Sequence, residues 1–454
     1  MSRRVFMGAG ASVVLGFRGL QRLAWGAPSQ GSGPNRPDLV PDPAGVLDLP
    51  PGFRYRVISR TGDPMDDGFV VPGNHDGMAA FAGPAGRTLL VRNHELTARN
   101  TDIGPFGADG ALLGRLDPAL VYDMGCMGGT TTLVFDTREQ RLEEHFLSLT
   151  GTLRNCAGGP TPWNSWVSSE EAVDRAGPGR QRDHGYNFEV PAAAGGPVSP
   201  VALREMGRFN HEAIAVDPAS GVVYETEDRP DSLLYRFIPN RPGELARGGR
   251  LQALRLLDIA AADTTNRGEV RIGVGMPLEV DWVDLDDVEA PRDDLRLQGA
   301  SKGAATFARG EGIWFAPGRI YFAATSGGEN RAGQIWMYRP SPAEGTPGES
   351  ADRGSLTLFL EPNDVDVLEN ADNLTVAPWG DIIICEDGPD DNWVRGATPE
   401  GQLYSLARNA MNDSEFAGAT FSPDQTTLFV NIQRPGMTLA ITGPWGQWWA
   451  GPAA

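Results

Sequence analysis

One pattern restricts the fold of this chain more strongly than any other, and it recurs along the sequence at irregular spacing. Each copy has an apolar run, a turn rich in Pro, Gly or Asp, a second apolar run, and a group of acidic or polar residues. Clear copies occupy 213–228, 312–328, 373–387 and 419–431, and weaker copies occupy 82–95 and 131–135. Repeated pairs of strands joined by tight turns are typical of the blades of a β-propeller.

The number and spacing of the copies predict an all-β fold, a six-bladed β-propeller with long inter-strand loops. Six copies in the 427 residues after position 27 give a repeat far longer than the roughly 40–45 residues of compact propellers. We expect the excess to lie in insertions, with 160–200 and 339–353 as the best candidates. The 58 glycines and 36 prolines agree with many turns. Two β-sandwiches with ordinary hairpins are the alternative.

The N-terminus predicts an export signal. Arg3 and Arg4 form a twin-arginine pair, and a mildly apolar run at 8–17 and several small residues follow it. This order is typical of a Tat signal peptide, so we expect residues 1–27 to be recognised by the Tat machinery and removed. The protein would then be periplasmic or secreted. The apolar run ends at Arg18, which makes it too short to span a membrane, and no later segment reaches the required length.

The rest of the chain predicts one domain. Residues 28–51 are rich in Pro, Gly and Ser and are expected to form a flexible tether. Residues 52–445 show no further boundary, and we expect them to form a single propeller domain that acts as a monomer.

The charge of the chain excludes most nucleic-acid binders. There are 39 basic and 59 acidic residues, a formal net charge of −20 that becomes −24 without the signal. A surface this acidic repels a phosphate backbone. The three cysteines are Cys126, Cys156 and Cys385, so at least one is unpaired, and the sequence leaves open whether the other two form a disulfide.

Acidic residues and their neighbours recur where the predicted hairpin strands begin or end. They are Asn93, His94, Glu95, Glu170, Glu171, His211, Glu212, Glu227, Asp228, Glu311, Asp372, Asn373, Glu386 and Asp387. In a propeller these positions can converge on one mouth of the central channel. Carboxylates gathered in one cavity need cations, and hard, oxygen-liganded metals suit them. The sequence therefore predicts a polynuclear metal site, with solvated turns as the alternative.

Two further side chains are candidates for the same site. Cys156 lies in a segment rich in Gly and Pro that would hold it rigidly, and its thiolate is a strong ligand for a ferric or similar ion. Its alternative role is that of a small buried apolar residue. Arg309 stands two residues before Glu311, so both side chains point to one side of an extended segment. A guanidinium suits bidentate phosphate binding, although a salt bridge explains Arg309 equally well.

The residues around Cys156 resemble the signature of PhoX-type alkaline phosphatases. Asn-Cys-Ala-Gly-Gly-x-Thr-Pro-Trp at 155–163 carries most of this similarity. Gly-Arg-Phe-Asn-His-Glu-Ala at 207–213, Asp-Asn-Leu at 372–374 and Cys-Glu-Asp-Gly at 385–388 look like the same family. The similarity extends from about residue 50 to 435.

This resemblance implies a Tat-exported, six-bladed propeller that hydrolyses phosphomonoesters with ferric (Fe3+) and calcium (Ca2+) ions at the channel mouth. It implies that Arg309 holds the substrate phosphate and acts in catalysis with Cys156 and Glu212. The implied metal ligands are Glu95, Cys156, Glu171, Glu212, Glu311, Asp372, Asn373, Glu386 and Asp387. Two rival hypotheses remain: a calcium-dependent lactonase or other esterase, and a non-catalytic, calcium-stiffened binding module.

Overall fold

The structure is a computed structural model that describes residues 36–107 and 110–446. Within these ranges, twenty-seven strands and one α-helix, α1 (Leu295–Ser301), are joined by turns and short 3₁₀ segments. The first nine strands are β1 (Leu47–Asp48), β2 (Arg54–Arg60), β3 (His75–Ala82), β4 (Thr88–His94), β5 (Gly128–Asp136), β6 (Arg141–Thr152), β7 (Asn155–Pro160), β8 (Ser165–Glu170) and β9 (Asn187–Pro191).

The remaining strands follow at similar spacing. The next nine are β10 (His211–Val216), β11 (Val223–Glu227), β12 (Ser232–Leu233), β13 (Tyr235–Pro239), β14 (Gly249–Leu256), β15 (Pro277–Asp284), β16 (Thr306–Phe307), β17 (Gly310–Ala316) and β18 (Arg319–Ala324). The last nine are β19 (Gln334–Arg339), β20 (Ser355–Leu360), β21 (Ala371–Val376), β22 (Ile382–Glu386), β23 (Trp393–Ala397), β24 (Leu403–Asn409), β25 (Phe416–Phe421), β26 (Thr427–Ile432) and β27 (Met437–Thr442).

Six innermost strands form a closed ring. In order they are β3, β7, β10, β17, β21 and β25, and each contacts the next, while β25 contacts β3. From each of them an antiparallel sheet extends outward, as in β3-β4-β5-β6. The all-β, propeller-like arrangement expected from the sequence is confirmed.

Hydrogen bonding does not divide these sheets into equal units. Strand β15 pairs with both β14 and β20, so two neighbouring sets of strands merge into one sheet of nine strands. The sheet that contains β7 has only three strands, β7-β8-β9.

The two ends of the described chain meet in the outer strands. Strand β2, near the N-terminal end, pairs with β27, near the C-terminal end, and completes the sheet β2-β27-β26-β25. Strand β1 adds to the edge of the neighbouring sheet by pairing with β24. The expected tether, 28–51, is described only from residue 36, and it contains β1.

The burial of each strand follows its position in its sheet. All six residues of β10 and all seven of β4 are buried, whereas exposed and buried residues mix along the outer β2. Apolar and aromatic side chains fill the space between neighbouring sheets, as where Phe135 of β5 and Phe429 of β26 meet edge to face at 5.2 Å. Strands near the ring are therefore covered on both faces, whereas the outer β2 is partly open to solvent.

Two sequence-based expectations about loops had different outcomes. The segment 339–353 is an insertion between β19 and β20, as expected. The segment 160–200 is not simply a loop, because it contains β8 and β9. Its Gly, Pro and Ser residues weaken the strand pattern in the sequence, although neighbouring sheets bury these two strands. The predicted signal, 1–27, lies outside the described residues. In the described ranges, no helix combines the length and the apolar character needed to cross a membrane.

Candidate metal centre and active site

Every strand of the inner ring carries a β-bulge near its first residue. In β3, His75 pairs with His94 but Met78 pairs with Arg92, so three steps on the inner strand match two on its partner. The same shift of one residue recurs in β7, β10, β17, β21 and β25. A bulge adds one residue to a strand and redirects its side chain, and bulges are frequent beside active sites.

In each strand, the first bulged residue comes directly after the last regular pair before the register shift. In five of the six strands this residue is a candidate metal ligand. These residues are Asp76 in β3, Cys156 in β7, Glu212 in β10, Glu311 in β17 and Asp372 in β21. In β25 the corresponding residue is Gly418. Because the inner strands form a ring, the five side chains converge at one end of it.

Glycines allow the inner strands to approach this closely. A Cβ atom added to Gly312 in β17 would lie 2.7 Å from the carbonyl oxygen of Asp372 in β21. One added to Gly418 would lie 2.5 Å from the carbonyl oxygen of Asp76. Real Cβ atoms do not come this near to backbone oxygen, so these glycines fix the width of the ring.

Three groups of donor atoms follow one another across this end of the ring. The first contains Cys156, Glu171 and Glu212, and the second contains Glu212, Glu311 and Asp372. The third contains Asp372, Asp387 and Glu415. Within each group the donor atoms lie within 4.8 Å of one another. Since adjacent groups share Glu212 and Asp372, the seven side chains form one continuous cluster, which we call the carboxylate cluster.

Unpaired atoms in the cluster support metal binding. Glu212 Oε2 and Asp372 Oδ1 are buried and have no hydrogen-bond partner. The other oxygen of Glu212 accepts only a weak hydrogen bond, from Cys156 Sγ at 3.3 Å. A buried carboxylate oxygen without a partner is costly, and a cation bound between such oxygens removes that cost. The residues present therefore fit metal ions.

The charges of the cluster are strongly unbalanced. Burial, and then the nearby carboxylates of Asp372 and Glu171, raise the pKa of Glu212 well above its usual range. Burial and Asp387 raise the pKa of Asp372 to about 8. Burial and the surrounding acids also raise the pKa of the Cys156 thiol. Without a cation, these surroundings favour the neutral form of all three groups, and a bound metal reverses this preference.

Two arginines lie at the edge of the cluster, in corresponding positions of two inner strands. Arg154 precedes β7 and Arg309 precedes β17, and both have a positive φ, of 48° and 58°. This left-handed conformation is uncommon for a residue with a long side chain and marks a constrained site.

Each arginine binds a pair of carboxylates. Arg154 Nη2 donates to Glu95 Oε1 at 2.7 Å and also to Glu171. Arg309 forms a bidentate pair with Asp228, at 2.6 and 2.8 Å, and donates to Glu311 at 2.8 Å. These contacts confirm a salt bridge for Arg309. The guanidinium nevertheless remains partly exposed.

Most of the residues predicted from the sequence converge here, but three differ from the rest. Glu386 lies outside the cluster, since it accepts hydrogen bonds from Arg395 Nε and from the backbone N–H of Glu369, both at 3.0 Å. Glu95 is joined to the cluster through Arg154. Asn373 accepts a hydrogen bond from the backbone of Gly418 at 3.1 Å and so links β21 to β25.

Three acidic residues of the site were absent from the implied metal ligands, although Asp228 was among the acids expected to converge. Asp76 is fully buried and accepts a hydrogen bond from Gln433 Nε2 at 3.1 Å. Asp228 binds Arg309, and Glu415 completes the third donor group. The signal for Asp76 was present, because it holds the same position relative to its strand as Glu212 and Glu311. Glu415 precedes β25 and had no such signal.

Comparison with known proteins agrees with this geometry. A sequence model of the family described as alkaline phosphatase PhoX matches residues 35–145 and 136–436. Among solved structures, the Pseudomonas fluorescens PhoX in complex with vanadate, a transition state analogue, is 18% identical with a TM-score of 0.66. That alignment covers 92% of this chain and 98% of the other.

Other structures are less similar. A gluconolactonase from Xanthomonas campestris is 12% identical with a TM-score of 0.39, over 90% of this chain and 98% of its own. A putative gluconolactonase is 11% identical with a TM-score of 0.42, over 90% and 97%. No curated protein sequence matches the chain. The family match extends over most of the chain and includes every residue of the carboxylate cluster, and the chain therefore belongs to the PhoX family of alkaline phosphatases, which are phosphoric monoester hydrolases.

Proposed function

We propose that this protein hydrolyses phosphate monoesters at the carboxylate cluster, with metal ions bound in its three donor groups. The observation that carries the proposal is the continuous line of donors shared through Glu212 and Asp372, with Arg309 beside it. A phosphatase needs positive charge where phosphoryl oxygens bind. A site this acidic acquires that charge only from bound cations.

The donor atoms favour different ions at the two ends of the cluster. The first group combines the thiolate of Cys156 with Glu171 and Glu212, a set that suits a ferric ion. The second and third groups offer only carboxylate oxygens, which suit calcium. We therefore propose iron beside Cys156 and calcium at the remaining groups.

The residues around the metals have separate roles in this proposal. Bound metal ions neutralise charge on the phosphoryl oxygens and activate the attacking group. Arg309 would donate its guanidinium N–H groups to the phosphate, held in position by Asp228 at 2.6 Å. Arg154 would keep Glu171 and Glu95 oriented. Glu212 would keep adjacent metals at a fixed distance, because it belongs to two donor groups.

We also propose that the ring corresponds to six blades. The support is that six inner strands contact one another in sequence and that each carries the same bulge near its start. On this interpretation, β15 is an additional strand between the third and fourth blades. The propeller domain would extend over 52–445. Strand β1, just before it, would extend the sheet that contains β24.

Export and assembly are proposals that rest on the sequence. The twin-arginine pair and the apolar run after it support passage through the Tat machinery to the periplasm or the exterior. A protein exported in the folded state can leave the cell with its metals bound. We propose that it acts there as a monomer on small phosphomonoesters.

The test is hydrolysis of 4-nitrophenyl phosphate by the purified protein before and after chelation. We expect activity in the untreated protein, loss of at least 100-fold after chelation, and recovery when calcium and iron are returned. The variant Glu212→Gln should lose activity to a similar extent, because it removes a charge shared by two donor groups. Glu225→Gln is the matched control, since Glu225 is equally buried but hydrogen-bonded to Asn187 behind the inner ring.

Two results would contradict the proposal. One is phosphatase activity that chelation leaves unchanged. The other is a metal-loaded protein that hydrolyses lactones and leaves aryl phosphates intact, which would favour the lactonase hypothesis.

A further inference from the structure

A second group of ligand-type side chains lies outside the carboxylate cluster. Asp123 and Cys126 belong to the segment before β5, and His184 belongs to the segment between β8 and β9. The three residues are almost completely shielded from solvent, with exposures of 0% for each. Their donor atoms lie within 4.8 Å of one another.

The imidazole of His184 is held firmly from one side. Its Nδ1 lies 2.7 Å from Oε1 of Glu170, so this nitrogen carries a proton and donates it. Glu170 is itself fixed, because it accepts backbone hydrogen bonds from Leu153 at 2.9 Å and Gly185 at 2.8 Å. The ring is therefore oriented with Nε2 towards Asp123 and Cys126.

The distances on this second side are too long for strong hydrogen bonds. His184 Nε2 lies 3.4 Å from Asp123 Oδ2 and 3.6 Å from Cys126 Sγ. A charged N–H to carboxylate bond normally measures about 2.7–2.9 Å. The fully buried Nε2 is thus close to two donor atoms without a short bond to either.

The same distances match the edges of a coordination tetrahedron. Metal–ligand bonds of about 2.0–2.3 Å place the ligands of a tetrahedral zinc ion roughly 3.3–3.8 Å apart. The two measured separations from Nε2, 3.4 and 3.6 Å, fall inside this range. Two of the three separations in this group thus agree with the spacing that one ion imposes, and the three ligand types suit the same ion.

The local backbone also has the form of a metal-binding turn. Asp123 and Cys126 are separated by two residues, and the backbone N–H of Cys126 donates to the carbonyl oxygen of Asp123 at 3.1 Å. The backbone N–H of Gly125 donates to Asp123 Oδ1 at 2.9 Å, and those of Gln181 and Arg182 donate to Oδ2 at 2.5 and 3.0 Å, so the carboxylate is fixed in position. Ligand pairs with two residues between them in a tight turn are frequent in structural zinc sites.

We propose that Asp123, Cys126 and His184 bind a divalent transition-metal ion of the zinc type, separate from the metals of the carboxylate cluster. Thiolate, imidazole and carboxylate together favour such an ion over calcium. Glu170 would serve as the carboxylate that orients a ligating histidine. A water molecule would complete a tetrahedral shell.

The proposed ion would have a structural role. It would join the segment before β5 to the segment that follows β8, and this second segment begins with Glu171 of the carboxylate cluster. Without an ion, the same side chains would form a buried ion pair. Burial lowers the pKa of His184, but the charge of Glu170 outweighs this and raises it to about 10. The experiment therefore has to distinguish a site that holds a metal ion from one that holds a protonated His184 without a metal.

The test uses the Cys156→Ser protein, which removes the thiolate of the carboxylate cluster and leaves the proposed site intact. After chelation and loading with Co2+, we expect a thiolate-to-cobalt charge-transfer band. Its intensity should correspond to one site per chain. Adding Cys126→Ser should abolish the band. Adding Cys385→Ser should leave it unchanged, because Cys385 is equally buried but lies in an apolar cluster.

A second measurement covers the case in which the double variant does not fold. Element analysis of the Cys156→Ser protein, purified in buffer containing zinc, should find one tightly held zinc ion per chain. The inference is overturned if this protein holds no zinc and shows no thiolate–cobalt band. It is also overturned if Cys126→Ser leaves both signals unchanged.

Discussion

At the scale of single residues, the identity of the bulged residue sets the chemistry at each point of the ring. Five inner strands place an acid or a cysteine at this position, and the sixth places Gly418 there. Cys156 is the one sulfur donor of the cluster, at one end of the line of donor groups. Asp387 and Glu415 lie at the other end. The cluster therefore passes from a mixed sulfur and oxygen environment to one of oxygen alone.

The raised pKa of Asp372 predicts how metal binding and pH combine. Without cations the folded protein keeps Asp372 protonated up to about pH 8, whereas the unfolded chain releases this proton near its ordinary pKa of 3.8. The stability gained from this group is complete below about pH 4 and is lost as the pH rises through 8. A bound cation accepts the ionised carboxylate and removes the loss.

We therefore expect the gap in Tm between the calcium-loaded and the chelated protein to widen from pH 5 to pH 9, by about 5 °C or more. Differential scanning calorimetry at several pH values measures it. In Asp372→Asn the gap should change less with pH. A gap that stays constant in the wild-type protein would show that ionisation of the cluster is not coupled to metal binding.

Residue-level prediction from sequence worked where the chemistry was distinctive and failed where only geometry decides. Cys156, Glu171 and Glu212 stood out through their motifs, and the structure brings their donor atoms together. Glu386 is the last residue of β22 and directly precedes Asp387 of the cluster, yet its carboxylate binds Arg395 instead. Only the direction of the side chain separates these cases, and a one-residue shift in a strand reverses that direction.

At the scale of elements, the bulge and the glycine that follows it act together. The bulge in β17 turns Glu311 into the ring, and Gly312 then lets β17 lie against the backbone of β21. A similar close approach occurs at Gly77, where an added Cβ would lie 2.6 Å from Cα of Ala157. The glycine after the ligand position in β3 and in β17 is thus part of the site.

The variant Gly312→Ala tests this dependence. The new methyl group would lie 2.7 Å from the carbonyl oxygen of Asp372, so the two strands must separate. We expect kcat/KM for 4-nitrophenyl phosphate to fall about tenfold or more, and the free energy of unfolding to fall by about 1–3 kcal/mol. Gly273→Ala is the control, because no atom lies within 4 Å of its added Cβ. Equal activity in both variants would refute the role given to the close approach.

Prediction of elements followed the strength of the apolar pattern. The four clear copies of the hairpin correspond to the inner pairs that begin with β10, β17, β21 and β25. The pair β7 and β8 was not recognised as a hairpin, because Gly158, Gly159 and Pro160 weaken the strand signal. The two glycines are buried by the sheets around them and Pro160 is partly buried, so tertiary packing overrides their local preference.

At the scale of the whole molecule, the ring is closed by strands from opposite ends of the described chain. Strand β2 supplies the outer strand of the sheet that begins with β25. Without it, β27 would present an unpaired edge, which destabilises a sheet and favours aggregation. The closure should therefore support the site, even though β2 is far from it.

Deletion of the N-terminus tests this closure. Removal of residues 1–60 takes away β1 and β2, and we expect Tm to fall by more than about 10 °C or the protein to aggregate. Removal of residues 1–35 spares both strands and should leave Tm unchanged. Thermal unfolding of the two truncated proteins measures the difference. Equal stability of the two would contradict a closing role for β2.

The acidic character of the chain also acquires a specific meaning at this scale. Nine carboxyl groups gather around the end of the ring, against the guanidinium groups of Arg154 and Arg309. The nine are Asp76, Glu95, Glu171, Glu212, Asp228, Glu311, Asp372, Asp387 and Glu415. Net charge alone could not show which acids converge, because convergence depends on the closed ring.

The most direct test of the account is element analysis of the purified protein together with two cysteine variants. We predict that the wild-type protein contains both iron and calcium. Cys156→Ser should lose iron and keep calcium, whereas Cys385→Ser should keep both, since Cys385 is buried among apolar residues. An active phosphatase that contains neither metal, or a Cys156→Ser protein with full iron content, would contradict the assignment of this cluster as the metal centre.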